Sequence, residues 1–416
     1  MVFSLPLSIQ LGDIGLGVGL SMPGEILIVF VLVGVVWRMI FKFEAYKLIL
    51  FHPISLLLIA QLVWMFFCTI TSVIPEVSSK YLMLKIIYLL VFYVYGARLF
   101  LESGRLKTFV LIYLLGLMPV VFFTWYNHYV SGVFSLESSN RNCYPFFNDH
   151  TIYAACLAML LPLLYTFLSQ KKHIFFIIVS CILLTVGLYF SFSRAALVSV
   201  VVSSILFLFL FFRVKLKVFV ISFILILIVS TVLFFNVKKD FSCNNASKRT
   251  DFSTMAHSIL DSKNQSNIER YNRWGSAFKM FLEKPIVGFG PGTYMFVYGR
   301  YQNNKTEISV HDASMGGAHS EYLKPLSEEG LIGFVFVLVI LVVVFVRGYQ
   351  LSLVLVGLKR NILIGAIVGL STYYVHGIFN FFLDTDKAAV LFWGLNAYIV
   401  ALDIRYTHTK EKQIHI

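Results

Sequence analysis

His319, in the run Ala318-His319-Ser320-Glu321-Tyr322, and the arginines Arg194, Arg270 and Arg273 are the residues of this chain whose types could do chemistry together. A histidine with a pKa near neutrality can take a proton from a hydroxyl, and a nearby carboxylate can set its tautomer. Glu321 is placed for that, with Glu328 and Glu329 one to two turns further on. Arginine stays charged and offers planar pairs of N–H donors that match phosphate oxygens, so three convergent arginines could hold a diphosphate. Each residue also has a plainer reading. A lone histidine is more often structural, Arg194 can snorkel from a helix end, and Arg270 and Arg273 can meet lipid head groups or Glu269 and Glu283. His128, His150, His257, His311 and His376 are less well framed. No H-E-x-x-H and no carboxylate-rich cluster argues for a metal, and no cofactor is expected.

The elements that must position these groups are apolar. The chain has 416 residues, of which 58% are hydrophobic and 13% charged, with a mean hydropathy of +0.82. Soluble domains carry about a quarter charged residues, so the expectation is an all-α polytopic membrane protein. Its apolar runs are continuous rather than alternating, which argues against a β-barrel. The net charge of +13 is dispersed in short clusters between those runs and forms no patch for nucleic acid. Windows of membrane-spanning length predict about 12 transmembrane helices, near 5–20, 24–41, 48–73, 80–100, 106–126, 150–170, 174–190, 195–212, 217–236, 330–347, 361–381 and 387–403. The first is the weakest, because Asp13 and four glycines interrupt it.

Charge sets the orientation. Arg38, Lys42 and Lys47, then Arg105 and Lys107, Lys171 and Lys172, Arg213, Lys215 and Lys217, Arg347, Lys359 and Arg360, and Lys410 and Lys412 all fall on one side if every span crosses. The positive-inside rule assigns that side to the cytoplasm. Arg194 then lies on the outer side, where the rule calls for no cation. The division is 1–236 with transmembrane helices 1–9, a large outer loop at 237–329, and 330–416 with helices 10–12 and a short tail. The start lacks a basic n-region and a cleavage site, so no cleaved signal is expected. Cys68, Cys156 and Cys181 read as small buried hydrophobes, whereas Cys143 and Cys243 fall in outer loops where a disulfide is conceivable.

Within the large loop, residues 267–282 form a helix candidate with Ile268, Tyr271, Phe278 and Leu282 on one face, and Arg270 and Arg273 on an adjacent one. Pro285 and Gly288 end it. Gly288-Phe289-Gly290-Pro291-Gly292-Thr293 resembles a phosphate-cradling loop but lacks the lysine and the strand–helix setting of a P-loop, so a tight turn is the plainer reading. A second helix is expected to start near Ser320 and run into the span that follows, with Pro325 in its first turns.

Taken in order, these fragments resemble the O-antigen ligase and Wzy-type polymerase superfamily. They are Ser193-Arg194-Ala195 opening a span, Arg270 to Ala277 leading to Pro285, Gly288 and Gly290, and Ala318-His319-Ser320-Glu321-Tyr322-Leu323 followed by Glu328 and Gly330. The resemblance implies a GT-C-like helical fold in the bacterial inner membrane with its active site facing the periplasm. It implies transfer of a glycan from undecaprenyl diphosphate to an acceptor hydroxyl, on lipid A–core for a ligase, without metal or nucleotide sugar and with inversion. It makes His319, Arg194 and Arg270 the catalytic set. Arg194, Arg270 and, by charge alone, Arg273 then bind the diphosphate, and Glu321, Gly288 and Gly290 support. The family's histidine is commonly followed by asparagine, where this chain has Ser320. A polymerase, a protein O-oligosaccharyltransferase and, from a different class, a lipid or glycan transporter are the alternatives. The short loop at 127–149 leans towards a ligase, and spans nearly free of charge lean away from a transporter.

Overall fold

The computed structural model describes residues 1–11, 21–103, 105–132, 136–170, 173–215, 217, 265–302 and 316–414. The expected span at 217–236 and the residues Cys243, His257 and His311 lie outside them, Lys217 excepted.

The described chain is a helical bundle. Its elements are β1 (Ile9–Gln10), β2 (Ser21–Met22), α1 (Gly24–Phe41), α2 (Glu44–Leu50), α3 (Pro53–Ile70), α4 (Pro75–Tyr88), a π-helical stretch (Leu89–Val94), α5 (Tyr95–Ser103) and α6 (Leu106–Ser131). There follow α7 (Leu136–Cys143), α8 (His150–Phe167), α9 (Ile174–Phe190), α10 (Arg194–Phe211), α11 (Gln265–Glu283) and α12 (Tyr294–Val297). Last come α13 (Leu323–Glu328), α14 (Gly330–Val354), α15 (Gly357–His376) and α16 (Asp386–Ile414). Among the described residues, eight helical stretches are long and apolar enough to cross a membrane, and the 17-residue α9 is a shorter apolar helix.

One expected span is corrected. Where the stretch expected to cross at 5–20 is described it is not an α-helix: residues 5–8 form turns, and Ile9 pairs antiparallel with Met22 and Gln10 with Ser21, while residues 12–20 lie outside the described residues. The physical reason is in its composition: Asp13 and four glycines oppose both a helix and burial in hydrocarbon. Lys387, at the start of α16, ties this segment down by donating to Ser8 O at 2.8 Å and to Phe146 O.

Two helices form the centre. α16 is 94% buried over its apolar window and α8 is 83% buried, whereas α1 and α14 are 17% and 22% buried and turn Leu, Val and Phe side chains outward. Without a hydrophobic drive between helices in lipid, close packing needs small residues. α15 meets that need against α8. A Cβ on Gly369 would lie 2.7 Å from Met159 O, and one on Gly365 would lie 2.9 Å from Thr166. This contact sets the last turn of α15 against the first turn of α8.

α11, α12 and α13 form a small cap on the same end as β1 and β2, around Ala277, Met280, Phe289, Tyr294, Val297, Tyr298 and Ala318. The glycine turn at 288–293 fastens the cap to the bundle. Val73 N–H donates to Phe289 O at 3.0 Å, and Gly290 N–H donates to Glu328 O at 2.8 Å. The single helix expected from Ser320 onward is instead two, because Gly330 adopts φ +71° between α13 and α14.

At the opposite end, basic side chains close helix C-termini. Arg360 donates to Leu210 O at 2.7 Å, Phe211 O at 3.0 Å and Ser352 O at 3.0 Å. Arg405 Nε donates to Leu101 O at 2.9 Å.

Candidate functional site

His319 sits where the cap meets the bundle. Its backbone has φ +48°, a left-handed conformation that residues other than glycine seldom adopt and that is stored at functional sites. Three contacts over-determine it. Trp274 Nε1 donates to His319 O at 3.2 Å, Glu321 N–H donates to Gly377 O at 2.7 Å, and Tyr322 OH donates to Tyr374 O at 2.9 Å. The glycines just before it are required by proximity. A Cβ on Gly316 would fall 1.5 Å from Arg273 Nη1, and one on Gly317 would fall 1.9 Å from the Phe381 ring.

The imidazole lies between two acceptors. Asn380 Oδ1 is 3.5 Å from Nδ1, and Glu269 Oε1 is 4.0 Å from Nε2. With the proton on Nδ1 the first contact is a donor bond to Asn380, and the Nε2 lone pair then faces Glu269. Burial, then the charge of Arg273, pushes the pKa of His319 down to about 4 against the pull of Glu269, so the ring is neutral at pH 7. Asn380 arrives from the turn after α15.

The arginines separate into different roles. Arg273 is buried and fully engaged: Nε and Nη2 donate to Glu269 Oε1 at 3.1 and 2.7 Å, Nη1 donates to Gly317 O at 2.9 Å, and the guanidinium lies over Tyr298 at 5.4 Å. It holds the Gly317 segment on α11. Arg270 turns towards the bundle. Burial lowers its pKa, with the charges of Glu269 and Asp149 acting the other way, and arginine remains protonated under such shifts. It also acts on His319 and on His150.

Arg194 opens α10, whose N-cap Ser193 accepts from Ala196 N–H at 3.4 Å. Its turn is tied to the first residue of α8, because His150 Nδ1 lies 2.7 Å from Ser191 O. α8 itself is capped by Asp149 Oδ1, which accepts from Thr151 N–H at 2.7 Å. Two capped helix N-termini therefore stand together at this end, each presenting the positive pole of its dipole, with Arg270 beside the first.

The other residues named from sequence take structural positions. Glu321 does not face His319. Its Oε1 accepts from Tyr373 OH, from Phe382 N–H at 2.8 Å and from Leu383 N–H at 3.2 Å, and so fixes the turn that carries Asn380. Gly288 and Gly290 have φ +65° and +111°. A Cβ on Gly288 would fall 2.3 Å from the Glu328 backbone, and one on Gly290 would fall 2.0 Å from Ser72 Oγ. The turn they shape binds an anion from its own chain, since Glu328 accepts from Gly292 N–H at 2.8 Å and Tyr294 N–H at 2.9 Å. Burial pushes the Glu328 carboxyl up to about 7, against Lys324 and those two N–H groups.

Sequence reasoning passed over Asn380, Gly316 and Gly317, and named Glu269 only as a carboxylate that Arg270 and Arg273 could meet. The Glu269–Arg273 pair at i, i+4 was a readable signal, and so was the glycine doublet. Asn380, 61 residues from His319, carried none.

No curated protein matches the chain. Residues 179–338 match the family model Wzy_C, described as O-Antigen ligase. That stretch runs from within α9 through the Arg194 turn, α11 and the His319 segment into α14, so the part of the chain that supplies the three arginines and the histidine is similar to the O-antigen ligase family.

Proposed function

We propose that this chain is a ligase-type glycosyltransferase that moves a glycan from undecaprenyl diphosphate to a sugar hydroxyl of lipid A–core. The observation that carries the reading is the position of His319, neutral, held in a left-handed turn beside Arg270, within the matched stretch. In this reading the basic end of the bundle faces the cytoplasm of a bacterial inner membrane, the cap faces the periplasm, and residues 237–329 form one periplasmic unit in a GT-C-like plan of about 12 spans, less the corrected stretch at 5–20.

The reaction follows from the groups present. The acceptor oxygen attacks the anomeric carbon from the face opposite the diphosphate, forming the new glycosidic bond with inversion. The bond from that carbon to the diphosphate oxygen breaks, and the electron pair leaves with undecaprenyl diphosphate. Arg194 and Arg270, helped by the N-termini of α8 and α10, offset the charge that builds on the leaving group. The hydroxyl proton passes to His319. Arg273 acts at one remove, by keeping the histidine segment in place. A lipid diphosphate is a good leaving group, so this charge stabilisation and positioning can suffice, and EDTA should leave the transfer rate unchanged.

Gene deletion tests the reading. Core lipid without polymer is the outcome for a ligase. Core bearing a single repeat would make the chain a polymerase instead, and unaltered surface glycan would remove both. Complementation with His319→Ala should fail to restore polymer.

A further inference from the structure

The gap between His319 Nε2 and Glu269 Oε1 is 4.0 Å, too long for a hydrogen bond and suited to one oxygen atom between them. A hydroxyl whose oxygen lies about 2.8 Å from each can share its one hydrogen between them as a three-centre bond. Both side chains are open to a substrate, at 30% and 32% exposure, whereas Arg273 behind them is 8% exposed. Arg273 holds Glu269 by two bonds to the same Oε1, at 3.1 and 2.7 Å. Asn380 holds the other edge of the imidazole. A pair of proton acceptors, each fixed from behind and separated by the width of one hydroxyl, is a cradle for an acceptor alcohol.

We propose that Glu269 is a further catalytic residue, forming with His319 a two-acceptor site that receives the acceptor hydroxyl and takes up its proton. The inference rests on the glycan-transfer reading above and deepens it. The hydroxyl lies with its oxygen between Nε2 and Oε1. As its oxygen bonds to the anomeric carbon, its O–H bond breaks and the proton passes to His319 Nε2, whose new N–H then faces the Glu269 carboxylate, while the diphosphate departs with the bonding electrons. A neutral histidine held below its usual pKa is a weak base alone, and the adjoining carboxylate gives the proton a second, charged acceptor.

The test uses full-length protein in vesicles of phosphatidylethanolamine and phosphatidylglycerol, with undecaprenyl diphosphate-linked glycan and lipid A–core. Glu269→Gln keeps an oxygen for Arg273 to bind but cannot accept the proton. It should lower kcat about 100-fold with the KM for donor unchanged. Formate should restore part of the rate to Glu269→Ala and none to His319→Ala, a rescue that a purely structural role would not show. A Glu269→Gln enzyme at the wild-type rate, or a Glu269→Ala enzyme indifferent to formate, overturns the assignment while leaving the transfer reading intact. Wild-type protein that transfers glycan to no acceptor removes the reading and the pair together.

Discussion

Arg360 and Arg405 at one end of the bundle, and Arg270 and Arg273 at the other, are the same residue type under two regimes. The first two are spent on backbone. Arg360 closes the last carbonyls of α10, Leu210 O and Phe211 O, and Arg405 closes Leu101 O of α5. Cations there satisfy carbonyls that a helix end leaves open and meet the negative pole of the dipole. At the cap end Arg270 stands instead beside a helix N-terminus, that of α8. The N-terminus of α8 is capped by Asp149, whereas that of α10 is capped by the neutral Ser193, so Arg194 and Arg270 are what add positive potential there. Arg273 is neutralised by Glu269, whereas Arg270 stays beside His319, Asp149 and His150. On the proposed reading, the arginines that close helix C-termini are structural, and Arg270, beside the N-terminus of α8, is one that meets the diphosphate.

Substitutions can break this contrast. His319→Ala should lower the rate of glycan transfer about 10²- to 10⁴-fold, the range for a positioned proton acceptor, whereas Arg360→Lys at the far end should leave the rate near that of wild type. Equal losses in reconstituted vesicles would abolish the distinction between the ends. Next in size is Gly317→Ala. Its methyl would meet the Phe381 ring at 1.9 Å and shift the segment carrying His319, and a displacement of that order costs up to about 100-fold. The thermal midpoint of the bundle should barely move, since the clash is local to the cap.

The pH dependence sharpens the comparison further. His319 has its pKa lowered from 6.5 to about 4, so the folded protein binds fewer protons there than the unfolded chain. The corresponding stability is present in full above 6.5 and is lost as pH falls through about 4. The acid limb of kcat/KM should therefore lie near 4; a limb at 6.5 would mean an unperturbed ring. The smallest effect belongs to Arg360→Ala, which leaves Leu210 O and Phe211 O without their donor. It should cost about 1–3 kcal/mol of stability, read by thermal unfolding in detergent, with transfer activity preserved.

The bundle was legible because hydrocarbon allows few solutions: continuous apolar runs become helices, and α3, α6, α10 and α14 lie close to where hydropathy puts them. The stretch at 5–20 was the weakest of the expected spans, because Asp13 and the glycines oppose a helix that the window average alone would allow. His319 and Arg270 were readable as types in an unusual loop. What surrounds them was not. Glu321 is nearest to His319 in sequence yet holds Phe382 and Leu383, while the groups facing the imidazole come from α11 and from beyond α15. Sequence proximity ranks carboxylates by separation along the chain, and the left-handed turn at His319 redirects the side chain away from its neighbours.

The short ladder between β1 and β2 has a consequence for how the ends of the molecule can be reached. Gln10 lies at the cap end, where Asn148 Nδ2 donates to its Oε1 at 2.9 Å, and exposed Thr407 lies beyond Arg405 at the basic end. On the proposed topology, cysteines placed at these two positions face different compartments. A thiol reagent that cannot cross a bilayer should label one of them in sealed cells and both only after the membrane is opened.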